Sequence, residues 1–332
     1  QTMTTFPNNK RRSVLRSLTT LALGIGIAGA CLAQAWPAKP IRLLVPYTAG
    51  SPPDLSSRVL ATHLSASLQQ PVVVENKPGA IGMVALQELL RQPADGYTLF
   101  CILTPVTTAS ALLPAQKVDL AKELQPVSQV DRIGTVLVVN NDLPASDMKS
   151  FVALLRAKPN QLNFASTGNG TPAHLAGELF KIQEKVQAEH VPYMSFAQSV
   201  PDLISNRVQF MFMTSSVAAP LVNTGKVRAL GIVGPNRLPI LANVPTLAEQ
   251  GMGKIDTSSW DGIVVKAGTP KSIVDRLNTE IVRILAKPEI KAKFVDMGMT
   301  AVSSTPEELG ALIEAETNRW GALIKAANIS AD

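Results

Sequence analysis

The chain has 332 residues, 46% of them hydrophobic and 17% charged, which is a globular composition and excludes a disordered one; the length suits two domains. Two cysteines are too few for a disulfide scaffold. The net charge of +6 does not describe a nucleic-acid surface: residues 1–35 hold Lys10, Arg11, Arg12 and Arg16 and no acid, and without them 27 basic residues face 25 acidic ones.

Those first residues read as an export signal. A basic stretch, Lys10 to Arg16, precedes the apolar run Leu18–Leu32, and Ala33-Gln34-Ala35 supplies an A-x-A cleavage site. Mature protein is expected to begin at Trp36. Arg11-Arg12 also fits a twin-arginine signal, and the export route stays open. Gly24–Gly29 spells GxGxxG, but it follows no strand and opens no βαβ unit.

Ile41–Pro46, Val72–Glu75 and Tyr97–Ile102 read as buried strands, with helical spacing over Asp54–Leu68 and Met83–Arg91 between them. This β-α-β-α-β order predicts a parallel sheet covered on both faces. The pattern restarts with strands at Leu162–Ser166, His190–Pro192, Val208–Phe212 and Val227–Val233, separated by helices from Pro172, Phe196 and Ser215. Thr135–Asn140 and Trp260–Lys266 are expected to connect the units as a two-strand hinge. Helices opening at Thr269-Pro270 and at Ser304–Glu308 are expected to return to the first unit. The domains are then 1–35, a signal peptide; 36–139 plus 257–332, a first lobe; and 140–256, a second.

One local pattern occurs after the first strand of each unit: Gly50-Ser51-Pro52 and Gly170-Thr171-Pro172. Each is a glycine loop, an N-cap hydroxyl and a proline at the first helical position. Ser51 and Asp54 also fit a capping box. Helix N-termini carry partial positive charge and unpaired N–H groups, so two of them facing one cleft would hold a carboxylate without a lysine. Nucleophile-elbow, P-loop and HExxH patterns are absent from the sequence. Cys101 reads as a buried thiol. His63, His174 and His190 are far apart in sequence, and His174 with Glu178 is too small a set for a metal. Neither a cofactor nor catalysis is expected.

At these residues the chain resembles the solute-binding proteins of tripartite tricarboxylate transporters, the Bug family. The resemblance rests on Val45–Asp54, Glu75–Ala80, Asp95–Leu99, Ser166–Phe180, His190–Tyr193, Gly225–Leu230, Asn243–Thr246 and Ala267–Pro270. It implies a periplasmic-binding-protein type II fold: two doubly wound α/β lobes joined by a two-strand hinge. It implies a small organic acid gripped in the interlobe cleft, and a tripartite-type membrane permease as partner. The implied site is Tyr47, Thr48, Ala49, Gly50, Ser51, Pro52 and Asp54 of the first loop, and Ser166, Thr167, Gly168, Asn169, Gly170, Thr171 and His174 of the second. Tyr193, Met213 and Thr214 complete it. A periplasmic monomer is expected; a carboxylate sensor presenting its ligand to a receptor, or an exported enzyme on the same fold, are the alternatives.

The chain departs from the family at Pro53, Ile81, Met83, Met194-Ser195 and Met213. The family often places an aspartate where Met213 stands. Without that acid a buried ammonium has no partner, so the expected ligand is an organic acid without an amino group.

Overall fold

The computed structural model describes residues 1–3, 36–116, 118–252 and 256–330. The chain divides into two units, Gln1–Ala38 and Lys39–Asp332. The expected export signal falls almost wholly outside the described residues. The second unit carries the whole α/β structure.

The unit begins with β1 (Ile41–Val45), α1 (Pro52–Leu68), β2 (Val72–Asn76), α2 (Met83–Arg91), β3 (Thr98–Leu103), α3 (Thr104–Leu112), α4 (Leu120–Glu123) and β4 (Leu124–Ile133). Next come β5 (Thr135–Val139), α5 (Met148–Ala157), β6 (Asn163–Ser166), α6 (Pro172–Glu184), β7 (Glu189–Pro192), α7 (Phe196–Ile204), β8 (Phe210–Thr214), α8 (Ser215–Asn223) and β9 (Arg228–Val233). The chain then returns through β10 (Ser259–Lys266), α9 (Lys271–Leu285), α10 (Pro288–Asp296), β11 (Met299–Ala301) and α11 (Pro306–Ala326).

Two sheets result, with orders β11-β4-β10-β3-β1-β2 and β7-β6-β8-β5-β9. Strands β1, β2 and β3 are parallel to one another, as are β6, β7 and β8 where they pair. The sheets are nevertheless mixed. β10 runs antiparallel between β3 and β4, and β5 runs antiparallel between β8 and β9. The strand expected at Thr135–Asn140 is therefore no connector. It lies inside the second sheet, all five of its residues are buried, and the lobe border moves to Gly134. Trp260–Lys266 likewise lies inside the first sheet. At the two crossings the Thr135 hydroxyl donates to the Thr257 carbonyl at 3.0 Å and ties them together.

Burial follows the two periodicities of the sequence. β3 reads Thr-Leu-Phe-Cys-Ile-Leu and is buried throughout, because helices cover both faces of a central strand. β8 alternates: Phe210 and Phe212 join one core of the second lobe, and Met211 and Met213 join the other. α11 starts at a capping box in which Thr305 accepts from the Glu308 N–H and Glu308 accepts from the Thr305 N–H. Its buried side holds Leu309, Ile313, Trp320 and Ile324. The helix expected from Thr269-Pro270 begins one residue later, with Pro270 at its N-cap and the Thr269 hydroxyl on the Lys266 carbonyl.

A small apolar seam joins the lobes. Leu112 and Leu175 pack with Trp320 and Ile324, all at most 6% exposed. Leu112, Trp320 and Ile324 come from the first lobe, Leu175 from the second. Leu112→Ala leaves a void there and is expected to cost about 2–4 kcal/mol. Urea denaturation should show a lower midpoint with an unchanged slope; an unchanged midpoint means the seam carries no stability.

Candidate functional site

Carboxyl ends of strands from both sheets point at the space between the lobes, where open α/β sheets place their ligands. A narrow cleft, about 100 Å³ in volume, opens there. Five helices begin on its wall. α1 contributes Pro52 and Pro53, α3 contributes Thr104 and Pro105, and α6 contributes Pro172 and Ala173. Phe196 opens α7, and Thr214 is the N-cap of α8. Each helix start carries roughly half a positive charge. The wall includes no lysine, arginine or histidine; its polar groups are otherwise Tyr47, Thr135, Thr167, Ser259 and Asp261.

The two expected loops are near copies in three dimensions. Ser51 and Thr171 share the same backbone conformation, φ −72° and ψ 159°. Neither hydroxyl caps its helix. Ser51 Oγ donates to the Thr48 carbonyl and Thr171 Oγ1 to the Gly168 carbonyl, both at 2.7 Å. The first-turn N–H groups of α6 are thus left by their own cap. α1 has fewer to offer, since Pro52 and Pro53 have none. The capping box expected at Ser51 is absent. Asp54 instead accepts from the Gly50 N–H at 2.8 Å, with Gly50 in the left-handed region at φ +81°. His174 does the same for Gly170, its Nδ1 accepting at 3.0 Å with Gly170 at φ +69°.

Several expected site residues therefore support the cleft from behind. Asp54 is 1% exposed and also holds Arg58 and Asn76; the hydrogen bonds from Arg58, Gly50 and Asn76 lower its pKa against the opposing effect of burial. Thr48, Ala49 and Gly50 are exposed on the loop before α1. Ser166, Gly168, Asn169, Gly170 and Thr171 build the second loop, of which Thr167 reaches the wall. Gly170 abuts the first lobe: a β-carbon there would lie 2.0 Å from Leu112 Cδ1, so Gly170→Val strikes Leu112 and does not test ligand contact cleanly. Tyr193 gives its hydroxyl to Asp202. Met213 is fully buried in the core and is no wall residue, because β8 turns Phe212 and Thr214 to the cleft. The premise that excluded an amino group falls with it. Asp261, Thr104, Phe196, Phe212 and Ser259 were not singled out by the sequence. An acid inside a strand that otherwise reads as buried, Trp260–Val265, was the available signal.

The histidines, distant in sequence, are stacked in space. The His174 and His190 rings lie 3.7 Å apart at 7°. His190 Nε2 is 2.7 Å from Ser166 Oγ, which also donates to the Gly168 carbonyl. The stack thus braces both ends of the second loop. Among the described residues no metal-binding group of three or more side chains occurs. Cys101 is buried, as expected, and burial pushes its thiol pKa up.

The family model described as "Tripartite tricarboxylate transporter family receptor" (TctC) matches residues 56–329. The chain belongs to this family. It is 32% identical over 326 residues to the UPF0065 protein in the tcbD–tcbE intergenic region of Pseudomonas sp. (strain P51), covering 98% of this chain and 97% of that protein. To protein BugT of Bordetella pertussis it is 32% identical over 302 residues, 90% and 93% of the two chains. Among solved structures, an R. palustris protein with adipate superposes with a TM-score of 0.80 at 30% identity, over 89% of this chain and 99% of the other. MatC from Rhodopseudomonas palustris, with bound malate, gives 0.76 at 26% identity, over 87% and 100%. The type II two-lobed architecture is that of this receptor family, and no helix among the described residues is long and apolar enough to cross a membrane.

Burial holds both imidazoles neutral: the pKa of His174 falls to about 3, helped by His190 and Lys181, and that of His190 to about 4, helped by Lys181. Both fall below the unfolded value near 6.5. Their contribution is therefore fully present above about pH 6.5 and is lost as the pH drops toward 4. Melting temperature should fall across that window, and less steeply in His190→Gln. Identical profiles for the two proteins would remove the stack from the acid response.

Proposed function

We propose that this protein captures a small organic carboxylate in the interlobe cleft and presents it to a membrane permease of the tripartite type. The carrying observation is the wall itself: five helix starts and no cationic side chain. Such a wall favours an anion through backbone dipoles and N–H groups, each charge-assisted hydrogen bond contributing roughly 1.5–3 kcal/mol. Its other lining is apolar, with Leu103, Ile133, Phe196 and Phe212 suited to a hydrocarbon body. Adipate and malate, bound by relatives of 30% and 26% identity, are acids of this kind and support the class. Pro53 and Phe196 favour the longer, more apolar chain.

Calorimetry with a panel of dicarboxylates tests this. At least one should bind, and Thr167→Phe, which places a ring in the cleft, should weaken it tenfold or more in a folded protein. Undiminished binding in that variant moves the ligand elsewhere.

We further propose a periplasmic, monomeric protein freed from residues 1–35. N-terminal sequencing of exported protein should read Trp36-Pro37-Ala38. A lipid-linked start at Cys31 would replace the soluble reading with a membrane-anchored one.

A further inference from the structure

The cleft built to receive an anion has one charged residue in its wall, and it is an acid. Asp261 of β10 is 3% exposed, and its register partner across the sheet is Asp131 of β4, which is 0% exposed. Asp131 Oδ1 and Oδ2 and Asp261 Oδ2 are all buried and meet no N–H or O–H donor of good geometry, while the two carboxyls lie against each other, so only a proton on one of them can join them. The hydroxyl of Thr104, also on the cleft wall, is buried and unpartnered as well. Asp261 and Thr104 line the cleft, and Asp131 stands behind Asp261, against the Asp261 carboxyl and the Ser56 hydroxyl.

The surroundings supply no compensating charge. The loop after β1 presents Tyr47 and β3 presents Cys101; burial and the Asp261 charge raise both groups, Tyr47 to about 12, so both are neutral at pH 7. α1 presents Ser56, and β11 places Ala301 opposite Asp131. α3 adds only Thr104 and Pro105 to the wall. No cation acts on either carboxyl. Two adjacent carboxyls removed from water, with no cation, do not both ionise. Burial raises Asp131 to about 7, and burial together with the Asp131 charge raises Asp261 well above the carboxylate range.

We propose that Asp131 and Asp261 hold a proton between them, and that Asp261 presents it as a hydrogen-bond donor to an oxygen of the bound acid. Asp261 is then the specificity-determining residue and Asp131 the positioning residue that keeps it protonated. The inference rests on the carboxylate reading above. Entry of an anion next to the pair requires the pair to be fully neutral, so binding takes up a proton from water as the pH rises through the pair's titration. The ligand favoured is an acid with oxygens at both ends, one for the helix starts and one for Asp261. A ligand carrying an ammonium group would instead draw the proton off and bind better at high pH.

Calorimetry of adipate and malate on the full-length protein between pH 5.5 and 8.5, in two buffers of different ionisation enthalpy, separates these cases. Affinity for at least one acid should fall with rising pH, approaching about tenfold per pH unit above pH 7, with net proton uptake. Asp261→Asn should flatten that profile, and Asp131→Asn should displace its midpoint. A flat wild-type profile overturns the proposal; a profile that rises with pH overturns it in favour of an ammonium-bearing ligand. Infrared spectra of the ligand-free protein test the pair independently. A protonated-carboxyl band at pH 7, weakened in Asp261→Asn, is expected, and its absence from wild type overturns the proposal whatever binds. Failure of both acids to bind while the band is present counts against the carboxylate reading and leaves the pair standing.

Discussion

The positive end of the helix is the interaction on which the cleft depends. Five strands from two sheets deliver their carboxyl ends to the same space, and the helix that follows each begins there. That convergence follows from topology: right-handed βαβ crossovers put every helix start on one edge of its sheet. Pairing the two edges across Gly134 concentrates the partial charges in one cleft. A lysine in that position would do the work of several dipoles, but it would also move. Backbone N–H groups are fixed by the helices behind them, so little order has to be created when a ligand arrives.

The loops that carry these starts are held by side chains that lie outside the cleft lining. In the first, Asp54 takes the Gly50 N–H and Ser51 turns back to Thr48. In the second, His174 takes the Gly170 N–H and Thr171 turns back to Gly168. The same device is thus built once with a carboxylate and once with an imidazole. The choice has an electrostatic consequence. Asp54 is balanced by Arg58 and Asn76, whereas His174 works only while neutral and is kept so by burial against His190. The first loop is secured by charge, the second by its absence.

Much of this was legible in the sequence, for reasons that can be named. Gly50-Ser51-Pro52 and Gly170-Thr171-Pro172 announce helix starts because glycine, hydroxyl and proline each satisfy a different demand of the same turn. β1, β3 and β6 are short apolar runs bounded by turns, and helix α2 appears where its spacing predicted. α3 gave no such signal. Thr104–Ala109 is buried on every side, so it has no polar face and no 3.6-residue contrast to detect. β4 was hidden by Pro126, which argues against a strand from sequence alone. Met213 shows the opposite failure. A one-residue shift along β8 exchanges Met213 for Thr214 at the cleft wall, because successive side chains of a strand point to opposite faces. The His174–His190 stack and the Asp131–Asp261 pair join residues 16 and 130 positions apart. Contacts of that range come from strand register, which composition and spacing do not encode.

α3 links the cleft to the border between the lobes. Its first residues, Thr104 and Pro105, line the cleft; its last, Leu112, packs on Gly170 and Leu175 of the second lobe. Nine residues of helix span only about 12 Å, so one rigid rod touches the ligand space at one end and the second lobe's loop at the other. Opening the cleft about Gly134 would draw Gly170 off Leu112 and expose the apolar seam with Trp320. Apolar surface uncovered in that way favours the closed arrangement even without a ligand, at roughly 25 cal/mol per Å². The seam and the acid pair sit at the two ends of that arrangement. A molecule offering one oxygen to the Asp261 proton and an anionic end to the helix starts would bridge groups of both lobes and so add to what the seam already holds.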